Sequence, residues 1–67
     1  MPVAKNIELV GSSSKSWEDA VYSAFNEAKK TLRNIRRIKV LSYSAIVEGN
    51  EIKEYRARVK ITFLVER

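Results

Sequence analysis

The chain contains no cysteine and no histidine, and these two absences remove much of the usual chemistry. Without cysteine there are no disulfides to staple a small core, and without either residue the common structural zinc sites are excluded. The same gaps rule out Ser-His and Cys-His nucleophile systems. The serines Ser12, Ser13 and Ser14 have no general base at an evident spacing. The acid pairs, Glu18 with Asp19 and Glu51 with Glu54, are ordinary for helix starts and turns. The chain is therefore not read as an enzyme. An apolar signal segment is also missing, because Met1-Pro2-Val3-Ala4-Lys5 leads straight into a strand pattern, and no stretch approaches transmembrane length. A soluble, cytoplasmic protein with no membrane partner is expected. Linkers, repeats and low-complexity segments are lacking too, so residues 1–67 are expected to form one domain.

What is present starts with an unusually long strand pattern. From Glu54 to Glu66, Tyr55, Ala57, Val59, Ile61, Phe63 and Val65 point one way. Glu54, Arg56, Arg58, Lys60, Thr62 and Glu66 point the other, and only Leu64 breaks the alternation. Period-two patterning of this kind marks a strand. Continued to Arg67 it would run roughly 40 Å at 3.3 Å per residue. The one helix upstream, near Ser16 to Arg33, would reach roughly 26 Å. Part of the apolar face must then be covered by another chain. The core that a chain of 67 residues can build is marginal on its own, and oligomerisation is the remaining common remedy when disulfides and zinc are excluded.

The remaining elements follow from periodicity. Val3 to Val10 reads as a short strand that Gly11-Ser12-Ser13-Ser14 stops. Ser16 with Asp19 has capping-box spacing, with Ser14 as the alternative cap. Trp17, Ala20, Val21, Ala24, Phe25, Ala28 and Leu32 make one helical apolar stripe, and Asn34 is a plausible stop. Glu18 and Asp19 near the start and Lys29, Lys30 and Arg33 near the end suit the helix dipole. Ile38 to Val47 is apolar or small on both faces, as a central or interface strand is. Glu48-Gly49-Asn50-Glu51 reads as a hairpin turn. The expected fold is α+β, a three-stranded antiparallel sheet wrapped around one helix in the order β-α-β-β. Phe25 and Leu32 are expected to face Val59, Ile61 or Phe63.

Charge adds a second theme. There are 13 basic and 8 acidic side chains. Lys29, Lys30, Arg33, Arg36, Arg37 and Lys39 form one group, and Lys53, Arg56, Arg58 and Lys60 another. Such clusters suit nucleic acid, an acidic membrane or a phosphate-bearing small molecule, and equally suit solvated surface with ion pairs between chains. Gly11-Ser-Ser-Ser-Lys15-Ser16 lies where a phosphate-binding loop would, but it lacks the glycine before the lysine. A helix cap is the better reading.

Ile7-Glu8-Leu9-Val10-Gly11-Ser12-Ser13 followed by Ser16-Trp17-Glu18-Asp19-Ala20-Val21 resembles the opening of the dodecin family. Lys30-Thr31-Leu32-Arg33, Lys53-Glu54-Tyr55 and Val59-Lys60-Ile61-Thr62-Phe63 continue the match in register. The resemblance implies a hollow homododecamer that binds or stores a small molecule, with flavins such as riboflavin and FMN held in pairs at two-fold contacts. Flavin-binding members carry a stacking tryptophan just after the helix and a glutamine after the last-strand tyrosine. Here Arg37 and Arg56 stand at those positions, which makes them the candidate ligand-binding residues. Two arginines suit an anion, or a planar acid on which guanidinium can stack, better than a neutral ring. Salt bridges to Glu51 or Glu54 of neighbouring chains are their structural alternative. The resemblance leaves FMN, riboflavin and coenzyme A as cofactor candidates, and extends to a tryptophan-lacking branch linked to calcium, for which no EF-hand-type loop is present. Two further readings stay open: a small basic nucleic-acid module using Arg56, Arg58 and Lys60, and an assembly domain without ligand. The first is weakened by the lack of any RNA-binding signature, with only Tyr43 and Tyr55 as stacking candidates.

Overall fold

The longest strand occupies the middle of the sheet. The computed structural model describes residues 3–65, so Met1 and Pro2 and the expected strand end at Glu66 and Arg67 lie outside the described residues. The elements run β1 (Val3–Ser13), α1 (Trp17–Lys29), β2 (Ile35–Glu48) and β3 (Glu51–Val65). Both β1 and β2 pair antiparallel with β3, giving the order β1-β3-β2. This is the expected α+β, β-α-β-β arrangement, with α1 seated on one face.

Packing between helix and sheet is set by small residues. Ala20, Ala24 and Ala28 recur every fourth residue and are 0–4% exposed, against Ala57, Val59 and Ile61 of β3 at 0%. Opposite them, Gly11 pairs with Ala57. A Cβ at Gly11 would run into the Ala20 carbonyl oxygen and lie 3.0 Å from the Ala24 Cβ. The helix thus approaches too closely for a large side chain on the contact line. That corrects the expectation for Phe25, which is half-buried at the helix flank, with the Lys29 ammonium 5.7 Å from its ring centroid. Leu32 does pack on the core, together with Ile7, Leu9, Ile35, Ile38 and Val40.

The element ends differ from the expected ones for identifiable reasons. Ser16 is the N-cap, its Oγ accepting from the Asp19 amide at 3.0 Å. Ser13 donates its hydroxyl to Asp19 Oδ2 at 2.6 Å and accepts from the Lys15 amide at 2.9 Å. β1 therefore continues through Gly11 to Ser13 instead of stopping at Val10. The helix ends at Lys29, four residues short of Arg33, where Leu32 and Thr31 both donate to the Ala28 carbonyl at 2.9 and 3.2 Å. Asn34 then takes φ 59° and turns the chain into β2, its carbonyl accepting from the Leu64 amide at 3.0 Å.

β2 is an edge strand of this sheet, not its centre. Its two-faced apolar character comes from a bulge. Val40 pairs with Val59 and Ser42 with Arg58, which leaves Leu41 as the extra residue. Ile38 and Val40 face the helix before the bulge, and Tyr43 and Ala45 do so after it. The β2–β3 turn is the anticipated one, with Gly49 at φ 59° and Asn50 at φ 63°. Two consecutive left-handed residues are what a two-residue hairpin loop of type I′ needs. The subunit measures 52 × 19 × 13 Å, whereas a helix of 13 residues spans only about 20 Å at 1.5 Å per residue. The outer half of the hairpin projects beyond it.

Candidate ligand-binding surface

Pairing register assigns the charged residues to the sheet face away from α1. Arg37 lies opposite Thr62, Lys39 opposite Lys60, Ser42 opposite Arg58 and Ser44 opposite Arg56. On the other side of β3, Asn6, Glu8, Val10 and Ser12 complete the same rows. Arg37 and Arg56 thus share a face. They do not meet within one subunit, because six positions of β3 separate their rows, roughly 20 Å at 3.3 Å per residue.

Two of the arginines already have carboxylate partners. Arg56 Nε donates to Glu54 Oε2 at 2.6 Å, two residues away on its own strand. Arg58 donates through Nε and Nη2 to Glu8 Oε1 at 3.1 and 2.8 Å. Both pairs stay substantially exposed, where such contacts contribute little to stability and act mainly to orient side chains. The salt bridge anticipated for Arg56 is to Glu51 or Glu54 of a neighbouring chain, whereas the bond found is to Glu54 of its own strand. Arg37 is exposed and, among the described residues, has no acidic partner.

The helix side carries a different surface. Val21, Tyr22, Phe25, Ile38, Val40 and Tyr43 line an open apolar groove of about 450 Å³, with Glu18 at its border. Trp17 closes the neighbouring end. Its Nε1 donates to the Ser44 carbonyl at 2.8 Å, and its ring meets those of Tyr55 and Tyr43 edge-on, with centroids 4.8 and 6.0 Å away. The tryptophan is thus a clamp between helix and sheet, and it remains 38% exposed. Tyr43 and Tyr55 are bound into this cluster on the helix side. They offer no stacking platform to the cations Arg56, Arg58 and Lys60, which lie on the opposite face.

Sequence reasoning misses this groove. The bulge at Leu41 hides Tyr43, and helical periodicity places Phe25 in the stripe without saying which residue lies at its centre. A readable signal exists in the phase change from Ile38 and Val40 to Tyr43 and Ala45. At the helix start, the serine-rich loop uses Ser13 and Ser16 in local bonds, and Asp19 puts a carboxylate where an anion would sit. The cap reading of that loop accounts for its contacts. Among the described residues, no group of three or more His, Cys, Asp and Glu is placed to hold a metal ion, and no helix is long and apolar enough to cross a membrane.

One short helix on an overlong three-stranded sheet, with an apolar groove on one side and cations on the other, defines a small β-α-β-β protein whose surfaces are only partly covered. The chain belongs to the dodecin family, whose model matches residues 3–66. The dodecin of Thermus thermophilus is 33% identical over 64 residues, covering 96% of this chain and 93% of the relative. A calcium dodecin of Mycobacterium tuberculosis is 30% identical over 63 residues, covering 94% and 89%. In three dimensions, an arginine-to-alanine variant of the Thermus thermophilus dodecin matches with a TM-score of 0.94 at 31% identity over 100% of both chains. The Mycobacterium tuberculosis calcium dodecin, described as calcium-chelating with a novel calcium-binding site, gives 0.85 at 29% identity over 96% of this chain and 91% of that one.

Proposed function

We propose that this chain is a subunit of a closed homododecameric shell that binds or stores a small molecule, acting by binding and not by catalysis. The observation that carries this reading is the mismatch of lengths. α1 covers less than half of the 52 Å subunit, and the uncovered part includes Val47 at 61% and Ile52 at 50% exposure beside the open groove. Membership of the dodecin family supports the same arrangement. The residue-level site is Arg37 and Arg56, the positions at which flavin-binding members carry a tryptophan and a glutamine. Because the two lie far apart in one subunit, a site using both draws them from different copies.

Arginine at those positions favours an anion over a neutral flavin. Guanidinium can stack on a planar ring, but its charge must stay solvated or paired. Near a two-fold contact each Arg37 also meets its own copy, and the repulsion is relieved when an anion lies between them. Riboflavin is therefore expected to bind at least tenfold more weakly than in tryptophan-bearing relatives, a loss of about 1.4 kcal/mol or more. FMN and coenzyme A, which carry phosphate, should lose less. A calcium site would have to collect its carboxylates from more than one copy, since no cluster of three acids is placed for it among the described residues. Fluorescence-quenching titrations with riboflavin and FMN at two salt concentrations test the reading. Tight, salt-insensitive riboflavin binding would assign the stacking role to another residue and remove Arg37 from the site.

A further inference from the structure

The sheet face away from the helix contains a cross-strand pair of like charge. Lys39 and Lys60 are directly opposed across β2 and β3, a placement that brings Cβ atoms about 4.5–5.5 Å apart and is destabilising for like charges. Arg37 occupies the next row on one side and Arg58 the next row on the other. The only acid in these rows is Glu8, the β1 residue directly opposite Lys60, and its carboxylate is taken not by Lys60 but by Arg58, at 2.8 and 3.1 Å. Among the described residues, Lys39, Lys60 and Arg37 take part in no ion pair. The Thr62 hydroxyl next to them donates to Asn6 Oδ1 at 2.6 Å, so it does not serve as a counter-dipole.

The geometry points to a site for a free multivalent phosphate-type oxyanion, seated between Lys39 and Lys60 and flanked by Arg37 and Arg58. Four cationic side chains face one carboxylate there, and a compact anion of two or more charges converts the Lys39–Lys60 repulsion into two attractive contacts. Lysine suits this task because its ammonium is a point charge that follows a phosphate without fixed geometry. The site shares Arg37 with the planar-ligand reading but is centred on Lys39 and Lys60, which that reading does not use.

Calorimetric titration of the intact protein with pyrophosphate, at ionic strength held constant with sodium chloride, tests the assignment. Saturable binding is expected, with Lys39→Gln and Lys60→Gln each weakening it at least tenfold. In phosphate-free buffer the same two variants should unfold at a higher temperature than the parent, because half of the opposed pair is gone. Lys30→Gln, which removes the same charge from the helix end, should bind pyrophosphate as the parent does. Absence of saturable binding, or equal weakening by Lys30→Gln, overturns the site. A lower midpoint in Lys60→Gln, or tighter binding of a DNA oligonucleotide than of pyrophosphate, does so too. FMN titration of Lys39→Gln separates the two readings: unchanged FMN affinity with lost pyrophosphate binding leaves the planar-ligand reading intact.

Discussion

At the scale of single residues, Gly11 limits how close helix and sheet can come. It sits on β1 under the helix, and any Cβ there meets the Ala20 carbonyl oxygen and the Ala24 backbone. Backbone cannot swing aside as a side chain does, so the helix itself would have to lift. Gly11→Ala should cost about 1–3 kcal/mol through overpacking, read as a drop in the denaturant midpoint. Trp17 offers a second test. Phenylalanine keeps an aromatic ring there but loses the Nε1 bond to the Ser44 carbonyl. Trp17→Phe is expected to cost about 1 kcal/mol in thermal unfolding. A neutral result would mean that water replaces that bond at this partly exposed position. Trp17 is legible in the sequence as a member of the helical stripe, and so are the alanines. Their ranking is not, because volume alone favours Phe25 for the core, whereas the close approach at Gly11 reserves the contact line for alanine. Arg37 and Arg56 can be picked out by position. Their separation along the face emerges only with the register.

At the scale of elements, the type and order of all four are readable, β1, α1 and β3 from their periods and β2 from its apolar run ahead of the hairpin turn. Their ends are less so. Ser12 and Ser13 look like loop in composition, yet their backbone groups stay in the β1–β3 ladder, and only the Ser13 side chain does capping work. The bulge at Leu41 is legible only as apolar residues on both faces, which also fits a central strand. The hairpin turn is the best-defined local feature, since Gly and Asn both tolerate positive φ. That tolerance makes a prediction about the turn alone. Gly49 has φ +59°, and a methyl group added there would find no neighbour within 4 Å, so Gly49→Ala meets backbone strain without any clash. Its cost should be about 1 kcal/mol, measured by chemical denaturation. Asn50→Gly should be nearly neutral. If Gly49→Ala were neutral as well, the turn would have to adopt another type in solution.

At the scale of the molecule, the decisive quantity is apolar surface that one chain does not cover. Tyr22 is 58% exposed and Tyr43 57%, both on the groove, and Val47 and Ile52 at the hairpin end are comparably open. Isolated exposed apolar residues are ordinary on a monomer, but here four lie on one slender subunit, Tyr22 and Tyr43 along the groove and Val47 and Ile52 at the hairpin end that the short helix does not cover. Assembly offers the missing cover, and it links stability to protein concentration, since whatever binds the folded chain raises its midpoint by mass action. Tyr22 is the useful probe because it lies on the helix, away from the Ala20–Ala24–Ala28 contact line. Tyr22→Glu puts a charge into the groove beside Glu18 while leaving the subunit's own core untouched. Light scattering should show the parent as a large closed oligomer, twelve copies by the family resemblance, and the variant as smaller species. Circular dichroism of the variant at low temperature should still report helix and strand. Unchanged mass in Tyr22→Glu would place the groove on a free surface and move the shared contact to the hairpin end, where Ile52→Glu makes the same test. A stable parent monomer at micromolar concentration would defeat the assembly reading outright, because the exposed apolar area would then need no partner at all.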